Sequence, residues 1–268
     1  MILHRQIIYG PILSRRLGLS LGLNIINPFY KICSFDCLYC ERGRTILHKN
    51  DINTEISSRF PTAAEITDAL KYFTINFINS RLNFQQGRIL DNITFSGNGE
   101  PTLHPGFDFI AEQVIKIRDK YLPDTKVTIL SNSSTAMNPI IQKALSKLDT
   151  RIMKLDAGNE ETFQKYNIPL RGVIQTDEIT LKDITDGLKN LKDIIIQSLF
   201  TKGISGNYNR DNVTDWIEKI KLIKPLEVQI YTLDRAAASE DIEILELSEL
   251  EEIKNLLDAE GIKSEIYY

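Results

Sequence analysis

The feature that most restricts this chain is an alternation. Short runs rich in β-branched residues (Leu19 to Ile25, Asn92 to Phe95, Val127 to Leu130, Arg151 to Leu155, Asp193 to Leu199, Glu227 to Tyr231, Ser264 to Tyr267) are separated by longer amphipathic segments (Ala63 to Ile78, Phe107 to Lys120, Pro139 to Leu148, Leu181 to Leu191, Asp211 to Ile223, Ser248 to Glu260). Antiparallel neighbours need only a tight turn, whereas parallel neighbours need a crossover of roughly a dozen residues or more, usually a helix. The pattern therefore predicts an α/β fold of strand–helix units around a parallel sheet, closed by a final strand.

At 268 residues the chain exceeds an average domain, but α/β barrels commonly run to about 250 residues as one unit. No repeat, low-complexity tract or Gly/Ser-rich linker divides it, so residues 1–268 are read as one domain. Lys and Arg number 32 against 36 Asp and Glu, a net charge of −4, and charged residues are 25% of the chain. That balance excludes a disordered acidic tail and disfavours a basic nucleic-acid surface. Hydrophobic residues, 42% of the total, never gather into the roughly 18 consecutive apolar positions of a membrane span. The segment Met1 to Ile12 carries His4 and Arg5 within its apolar stretch and lacks a small-residue cleavage site. A cytoplasmic location without a membrane partner is expected.

Two capping-box spacings mark helix starts, Thr62 with Glu65 and Ser248 with Glu251. Two irregular stretches, Glu41 to Pro61 and Lys165 to Thr180, are long enough to suggest functional loops.

All three cysteines, Cys33, Cys37 and Cys40, fall in the segment Cys-Ser-Phe-Asp-Cys-Leu-Tyr-Cys. An odd count at this spacing does not suit a disulfide framework. Structural zinc wants four ligands, and His4, His48 and His104, the only histidines, stand at none of the usual distances from a cysteine. Three free thiols would act as small hydrophobes, which gives no reason for their confinement to one loop. An iron–sulfur cubane held by three thiolates leaves one iron without a protein ligand, open to chemistry.

The Cys-x3-Cys-x2-Cys spacing, with an aromatic residue directly before the last cysteine, resembles the radical S-adenosylmethionine (SAM) superfamily. Within it, Tyr9-Gly-Pro-Ile-Leu-Ser-Arg-Arg-Leu-Gly-Leu-Ser-Leu-Gly-Leu-Asn24, Ser96-Gly-Asn-Gly-Glu-Pro-Thr-Leu103 and Val228-Gln-Ile-Tyr-Thr-Leu-Asp-Arg235 are similar to the Fe–S oxidoreductases related to wyosine-synthesis enzymes. The resemblance implies a partial (βα)6 TIM-like barrel with parallel strands and a cluster loop at about residues 30–45. It further implies a 4Fe-4S cluster on Cys33, Cys37 and Cys40, and S-adenosyl-L-methionine chelating the free iron through its amino and carboxylate groups. One electron, from a donor such as flavodoxin or ferredoxin, would cleave the sulfonium to methionine and a 5′-deoxyadenosyl radical that abstracts a substrate hydrogen.

Parallel α/β folds carry their reactive groups at the C-terminal strand ends. Here those ends hold the cysteine loop, Ser96 to Pro101, Ser131-Asn132-Ser133 and Asp156. By resemblance Tyr39 lies against the adenine, with plain core packing as the other reading. Gly97, Asn98, Gly99 and Glu100 resemble the superfamily's Gly-Gly-Glu motif, with Asn98 as a departure inside it; Glu100 is matched to the SAM amino group, with a solvated turn as the alternative. Asn132, beside Ser131, and Asp156 match ribose or carboxylate contacts. Strand parity sends Lys154 to the face of Asp156, toward the pocket or into a surface ion pair. Gln197, polar within an apolar run, needs a partner, and SAM is one candidate.

The substrate is less constrained. Wyosine-forming members carry additional cysteines for a second cluster, and this chain has none to spare. Arg15, Arg16, Arg42 and Arg44 flank the cysteine loop and are either anion receivers or a solvated rim. The acidic stretch Glu240 to Glu252 reads as a solvent-facing loop and helix start. An RNA, peptide, protein or small-molecule substrate is compatible with this sequence. A glycyl-radical-enzyme activase, and a non-catalytic Fe–S or zinc electron carrier or sensor, are the alternatives.

Overall fold

The computed structural model describes residues 3–45, 60–84, 90–172, 179–234 and 239–268. His48, Arg235 and parts of both long irregular stretches lie outside the described residues. Strands β1 (Ile8–Ser14), β2 (Gly18–Leu23), β3 (Asn92–Phe95), β4 (Lys126–Ser131), β5 (Thr150–Lys154), β6 (Ile194–Leu199), β7 (Glu227–Tyr231) and β8 (Ser264–Tyr267) form one sheet in sequence order. The helices are α1 (Ala63–Phe84), α2 (Phe107–Tyr121), α3 (Pro139–Leu145), the single turn α4 (Glu160–Thr162), α5 (Leu181–Lys189), α6 (Arg210–Ile223) and α7 (Leu247–Ala259). From β2 to β8 every pairing is parallel, as the alternation requires.

One strand was not expected. β1 pairs antiparallel with β2, with a register shift between Tyr9 and Ile12 around Gly10 and Pro11. Proline cannot donate to a ladder, so it is confined to edges and bulges, and β1 is an edge. The expected box at Thr62 is present: Thr62 N donates to Glu65 Oε2 (2.8 Å) and Glu65 N to Thr62 Oγ1 (3.2 Å). The box expected at Ser248 is not. The cap of α7 lies two residues earlier, where Glu246 N donates to Glu249 Oε2 (2.7 Å), because the fully buried Leu245 is pinned by its N–H to Thr232 Oγ1 (2.9 Å).

Strand parity divides the sheet into two faces. Ile93, Phe95, Val127, Ile129, Met153, Ile196, Val228 and Ile230 join the helices in the main apolar core. Their alternates, Asn92, Thr94, Thr128, Lys154, Gln197, Gln229 and Tyr231, line the other, concave face, where they bond across strands, as in Thr128 Oγ1 to Asn92 Oδ1 (2.6 Å) and Gln197 Nε2 to Gln229 Oε1 (3.2 Å). The sheet curls far enough that the β1–β2 turn meets its other end. Arg15 pairs with Asp234 (3.2 Å), and the Arg16 guanidinium lies 4.6 Å from the Tyr231 ring centroid and 5.8 Å from that of Tyr267.

The exit of β5 is clamped by α6, which buries Val213, Trp216, Ile217, Ile220 and Ile223 at helical spacing. Trp216 Nε1 donates to Leu155 O (2.9 Å) and its ring meets Phe200 edge-on at 5.0 Å. Truncating a buried aromatic of this kind costs about 3–5 kcal/mol. Gly158 N donates to Asn212 Oδ1 (2.7 Å), and a Cβ at Gly158 would come within 2.2 Å of the Asn212 carbonyl. These contacts fix the backbone around Asp156.

Candidate functional site

The cysteine loop is strapped to the segment that follows α4. Asp36 N donates to Ile168 O (3.0 Å), Leu38 N to Tyr166 O (3.0 Å) and Leu170 N to Ser34 O (2.8 Å). That segment, Phe163–Asn167, is a π-helical turn ended by Ile168 in the left-handed conformation (φ 50°), a local geometry often found at functional sites. Within the loop Cys40 N donates to Cys37 O (3.1 Å) and Gly43 N to Cys40 O (3.0 Å), so the backbone turns around the thiols. All three cysteines are unbridged, Cys37 buried and the others half-buried.

The thiols have polar company. Asn132 Nδ2 donates to Cys33 Sγ (3.4 Å) and Ser34 Oγ (2.9 Å), and Asn167 Nδ2 to Cys37 Sγ (3.6 Å) and Asp156 Oδ2 (3.0 Å). Lys31, 5% exposed, donates to Gly43 O (2.6 Å) and faces Asp36 at 3.5 Å. Burial pushes the Cys33 thiol up to about 12 against the pull of Lys31, and burial with Cys40 and Asp156 pushes Cys37 up to about 11. Burial would lower the Lys31 ammonium, but the three thiols and Asp36 outweigh it and raise it.

Asp156 is the second centre. Its Oδ1 accepts from Leu199 N (2.8 Å) and meets Lys154 Nζ at 3.3 Å; its Oδ2 accepts from Asn167 Nδ2 and from the Tyr39 hydroxyl. The Lys154 ammonium stands 4.6 Å from the Tyr39 ring centroid and donates to Tyr231 OH (2.6 Å), which donates to Gln197 Oε1 (3.3 Å). Side-chain exposures of 17% for Lys154 and 1% for Asp156 rule out a surface ion pair. Burial opposes the Lys154 charge, but Asp156 and Tyr231 hold it above the usual ammonium range. Burial, then Asp156, raises the Tyr39 phenol well above its ordinary value. Tyr39, Asn132, Lys154, Asp156 and Asn167 line one narrow cavity.

The remaining sequence candidates stand behind this cavity. Glu100 is buried, and its carboxylate accepts from Thr102 N (3.1 Å), Thr102 Oγ1 (2.6 Å), Ser131 Oγ (2.9 Å) and Asn132 N (2.6 Å). Three of these bonds fall on Oε1 and one on Oε2, so Glu100 ties the strand ends together while Oε2 keeps acceptor capacity. Burial raises its pKa against those bonds. Asn98 receives His4 N at Oδ1 (2.8 Å) and donates from Nδ2 to His4 O (2.8 Å) and Asn27 O (3.0 Å). The space beside the two glycines is filled by protein: a Cβ at Gly99 would fall 1.7 Å from Ile32 O, and one at Gly97 2.3 Å from Asn24 Oδ1. The structure thus brings Tyr39, Asn132, Lys154 and Asp156 to the cysteines, with Gln197 linked through Tyr231. Gly97, Asn98, Gly99, Glu100 and Ser131 form the strut that carries Ile32 and Asn132. Sequence reasoning missed Lys31 and Asn167; Asn167 lies in an irregular stretch already singled out for its length.

The four arginines divide. Arg15 is paired to Asp234, Arg44 meets Asp36 at 3.3 Å, and Arg42 Nη2 donates to His4 Nε2 (2.5 Å). Arg16 Nη1 is buried without a hydrogen-bond partner. Among the described residues no three His, Cys, Asp or Glu side chains are arranged to hold a single metal ion, and no helix is long and apolar enough to cross a membrane.

Comparison with known proteins agrees with this geometry. Residues 27–220 match the family model of the radical SAM superfamily. A UPF0026 protein of Helicobacter pylori (strain ATCC 700392 / 26695) is 30% identical over 262 residues, 96% of this chain and 74% of the relative. A protein of Brachyspira hyodysenteriae named GTPase Obg is 29% identical over 94% of this chain, which spans only 33% of that relative. The crystal structure of a radical SAM methyltransferase from Sphaerobacter thermophilus superposes with TM-score 0.64 at 15% identity, covering 93% of this chain and 66% of that one. The structure of TYW1 with a lysine-pyruvate adduct bound gives 0.57 at 14% identity, covering 90% and 73%. The curled, mostly parallel sheet, the three-cysteine loop and the family match together make this chain a member of the radical SAM superfamily of enzymes, which use a 4Fe-4S cluster and SAM, and of the UPF0026 family within it.

Proposed function

We propose that residues 1–268 act as one radical SAM domain in which Cys33, Cys37 and Cys40 hold a 4Fe-4S cluster beside the Tyr39–Asp156 cavity. The observation that carries this reading is three unbridged thiols in one strapped loop, two of them already receiving amide N–H groups. The donor set fits the cluster. A mononuclear ion would need its ligands gathered on one point, which the described residues do not offer, whereas a cubane takes each thiolate on a different iron. Each thiol must lose its proton to bind iron, the metal taking the proton's place. When bound, the cluster supplies one electron to the sulfonium of SAM, yielding methionine and a 5′-deoxyadenosyl radical for hydrogen abstraction from substrate.

The chain's own residues bind and orient. Tyr39 presents a ring held by its hydroxyl on Asp156 and by the Lys154 cation near its face. Asn132, supported by Glu100 through its backbone N–H, stands between Cys33 and the cavity. Glu100 ties this edge together, and its Oε2, which accepts only from Asn132 N, keeps acceptor capacity for the SAM amino group. The concave face, lined by Asn92, Thr94, Gln197, Gln229, Tyr231 and the unpartnered Arg16 Nη1, supports a polar substrate. Its class is open among RNA, peptide, protein and small molecule. The electron donor is of the flavodoxin or ferredoxin type, in the cytoplasm.

Anaerobic reconstitution tests the reading. Iron and sulfide should bind, SAM with dithionite should give 5′-deoxyadenosine, and Cys37→Ala should lose both the visible absorbance and the cleavage. Zinc in place of iron, or unchanged iron and cleavage in Cys37→Ala, would refute it.

A further inference from the structure

Three side chains from separate parts of the chain turn N–H groups or positive charge toward the cysteines, and of these the sequence motifs singled out only Asn132. Asn132 follows β4, Asn167 closes the π-helical turn, and Lys31 precedes the first cysteine. The two asparagines are built alike. Each splits the two hydrogens of its Nδ2 between a cysteine sulfur and an oxygen: Cys33 Sγ (3.4 Å) and Ser34 Oγ (2.9 Å) for Asn132, Cys37 Sγ (3.6 Å) and Asp156 Oδ2 (3.0 Å) for Asn167. In Asn132 the other end of the amide is also fixed, Oδ1 accepting from Ser134 N (3.0 Å). Lys31 is 5% exposed, its ammonium turned into the loop by the Gly43 carbonyl at 2.6 Å. A lysine is almost never buried to that degree unless negative charge accompanies it. Asp36 supplies that charge at 3.5 Å, and thiolates on the cluster would add to it.

We propose that Asn132, Asn167 and Lys31 form an electrostatic cradle that raises the reduction potential of the cluster on Cys33, Cys37 and Cys40. The inference rests on the reading that these cysteines hold it. Net charge, hydrogen bonds to sulfur and solvent exposure set the potential of such clusters. Reduction adds one electron, delivered by a low-potential donor, and no proton to a buried, thiolate-bearing group. Two amide dipoles and one ammonium favour the more negative state. Because the amides are locked by second hydrogen bonds, they need not reorganise as the charge changes. Asn132 and Asn167 thereby act as positioning residues whose effect reaches the reaction through the ease of the first electron transfer.

The test uses the anaerobically reconstituted full chain without SAM, poised with dithionite at a series of potentials and read by the electron paramagnetic resonance signal of the reduced cluster. Asn167→Leu and Asn132→Leu keep the side-chain bulk and remove the donor; Lys31→Met removes the charge. Each should bind iron and sulfide as wild type does, with a midpoint shifted to more negative values. A tenfold fall in the reduced-to-oxidised ratio at fixed potential corresponds to about 59 mV for one electron, and a shift of that order is expected. Lys31→Arg should retain the wild-type midpoint. Midpoints unchanged in all three donor-removing variants, with clusters intact, would overturn the proposal while leaving the ligand assignment standing. Loss of the cluster from one variant moves the measurement to the other two, and loss from all three would also overturn it, by making these residues structural. A wild-type protein without iron and sulfide would instead sink the ligand assignment itself.

Discussion

Replacing Asp156 by Asn isolates the best-defined electrostatic contact in the site. The wild-type carboxylate, 2% exposed, serves Leu199 N, the Lys154 ammonium, Asn167 Nδ2 and the Tyr39 hydroxyl. Asparagine keeps the shape but removes the charge, so Lys154 is left buried without its counter-ion, and one edge of the new amide turns N–H groups toward existing donors. Removing one partner of a buried pair costs about 3–5 kcal/mol, a large part of the roughly 5–15 kcal/mol that holds a typical protein folded. Lys154→Met should cost less, about 1–2 kcal/mol, since Asp156 retains three donors. The double variant Asp156→Asn/Lys154→Met no longer strands a charge and should recover stability relative to Asp156→Asn alone. Urea unfolding of the metal-free protein, followed by circular dichroism, gives the double-mutant cycle. A coupling of about 2 kcal/mol or more is expected. A coupling under about 0.5 kcal/mol, or Asp156→Asn within about 1 kcal/mol of wild type, would refute the argument that this pair is buried and mutually dependent.

Gly99→Ala should prevent stable folding, because its Cβ would lie 1.7 Å from the Ile32 carbonyl, backbone against backbone. Gly261→Ala, at φ +71° but with nothing within 4 Å, should cost only the left-handed penalty of about 1–2 kcal/mol; equal midpoints in thermal melts would contradict the distinction. His4, stacked on Tyr9 with ring centroids 3.5 Å apart and accepting from Arg42, has its pKa lowered from 6.5 to about 4, first by burial and then by Arg42. The unfolded chain therefore binds the extra proton between these values, so stability should fall as pH drops from about 6.5 toward about 4. His4→Gln should flatten that part of the stability curve, and a curve of unchanged slope would count against the assignment.

Much of the sheet could be read from sequence because parallel strands cannot be joined by short turns, so each β-branched run announces the helix that must follow. β1 escaped because Gly10 and Pro11 interrupt its ladder and its alternation is not that of a half-buried strand. The start of α7 was misplaced because Ser248 is a better cap residue than Glu246 in isolation, and the burial of Leu245 decided otherwise. In the site, the cysteines and Asp156 were visible as residue types at strand ends. Asn167 was not, since a bond between positions 130 residues apart leaves no local trace, and Lys31 was not, since nothing in the local sequence tells a buried lysine from a solvated one. The Gly-x-Gly segment was legible as a close approach, but only the fold reveals that the approaching group is the Ile32 backbone.

The strap between residues 34–38 and 166–170 has a consequence for how iron enters. In a zinc finger the chain collapses around its ion, and folding and loading are one event. Here the pocket wall is already stitched on two sides by main-chain bonds, so a cluster on these cysteines would be a local insertion into a finished mould. Stripping its iron would then silence the chemistry and leave the architecture upright.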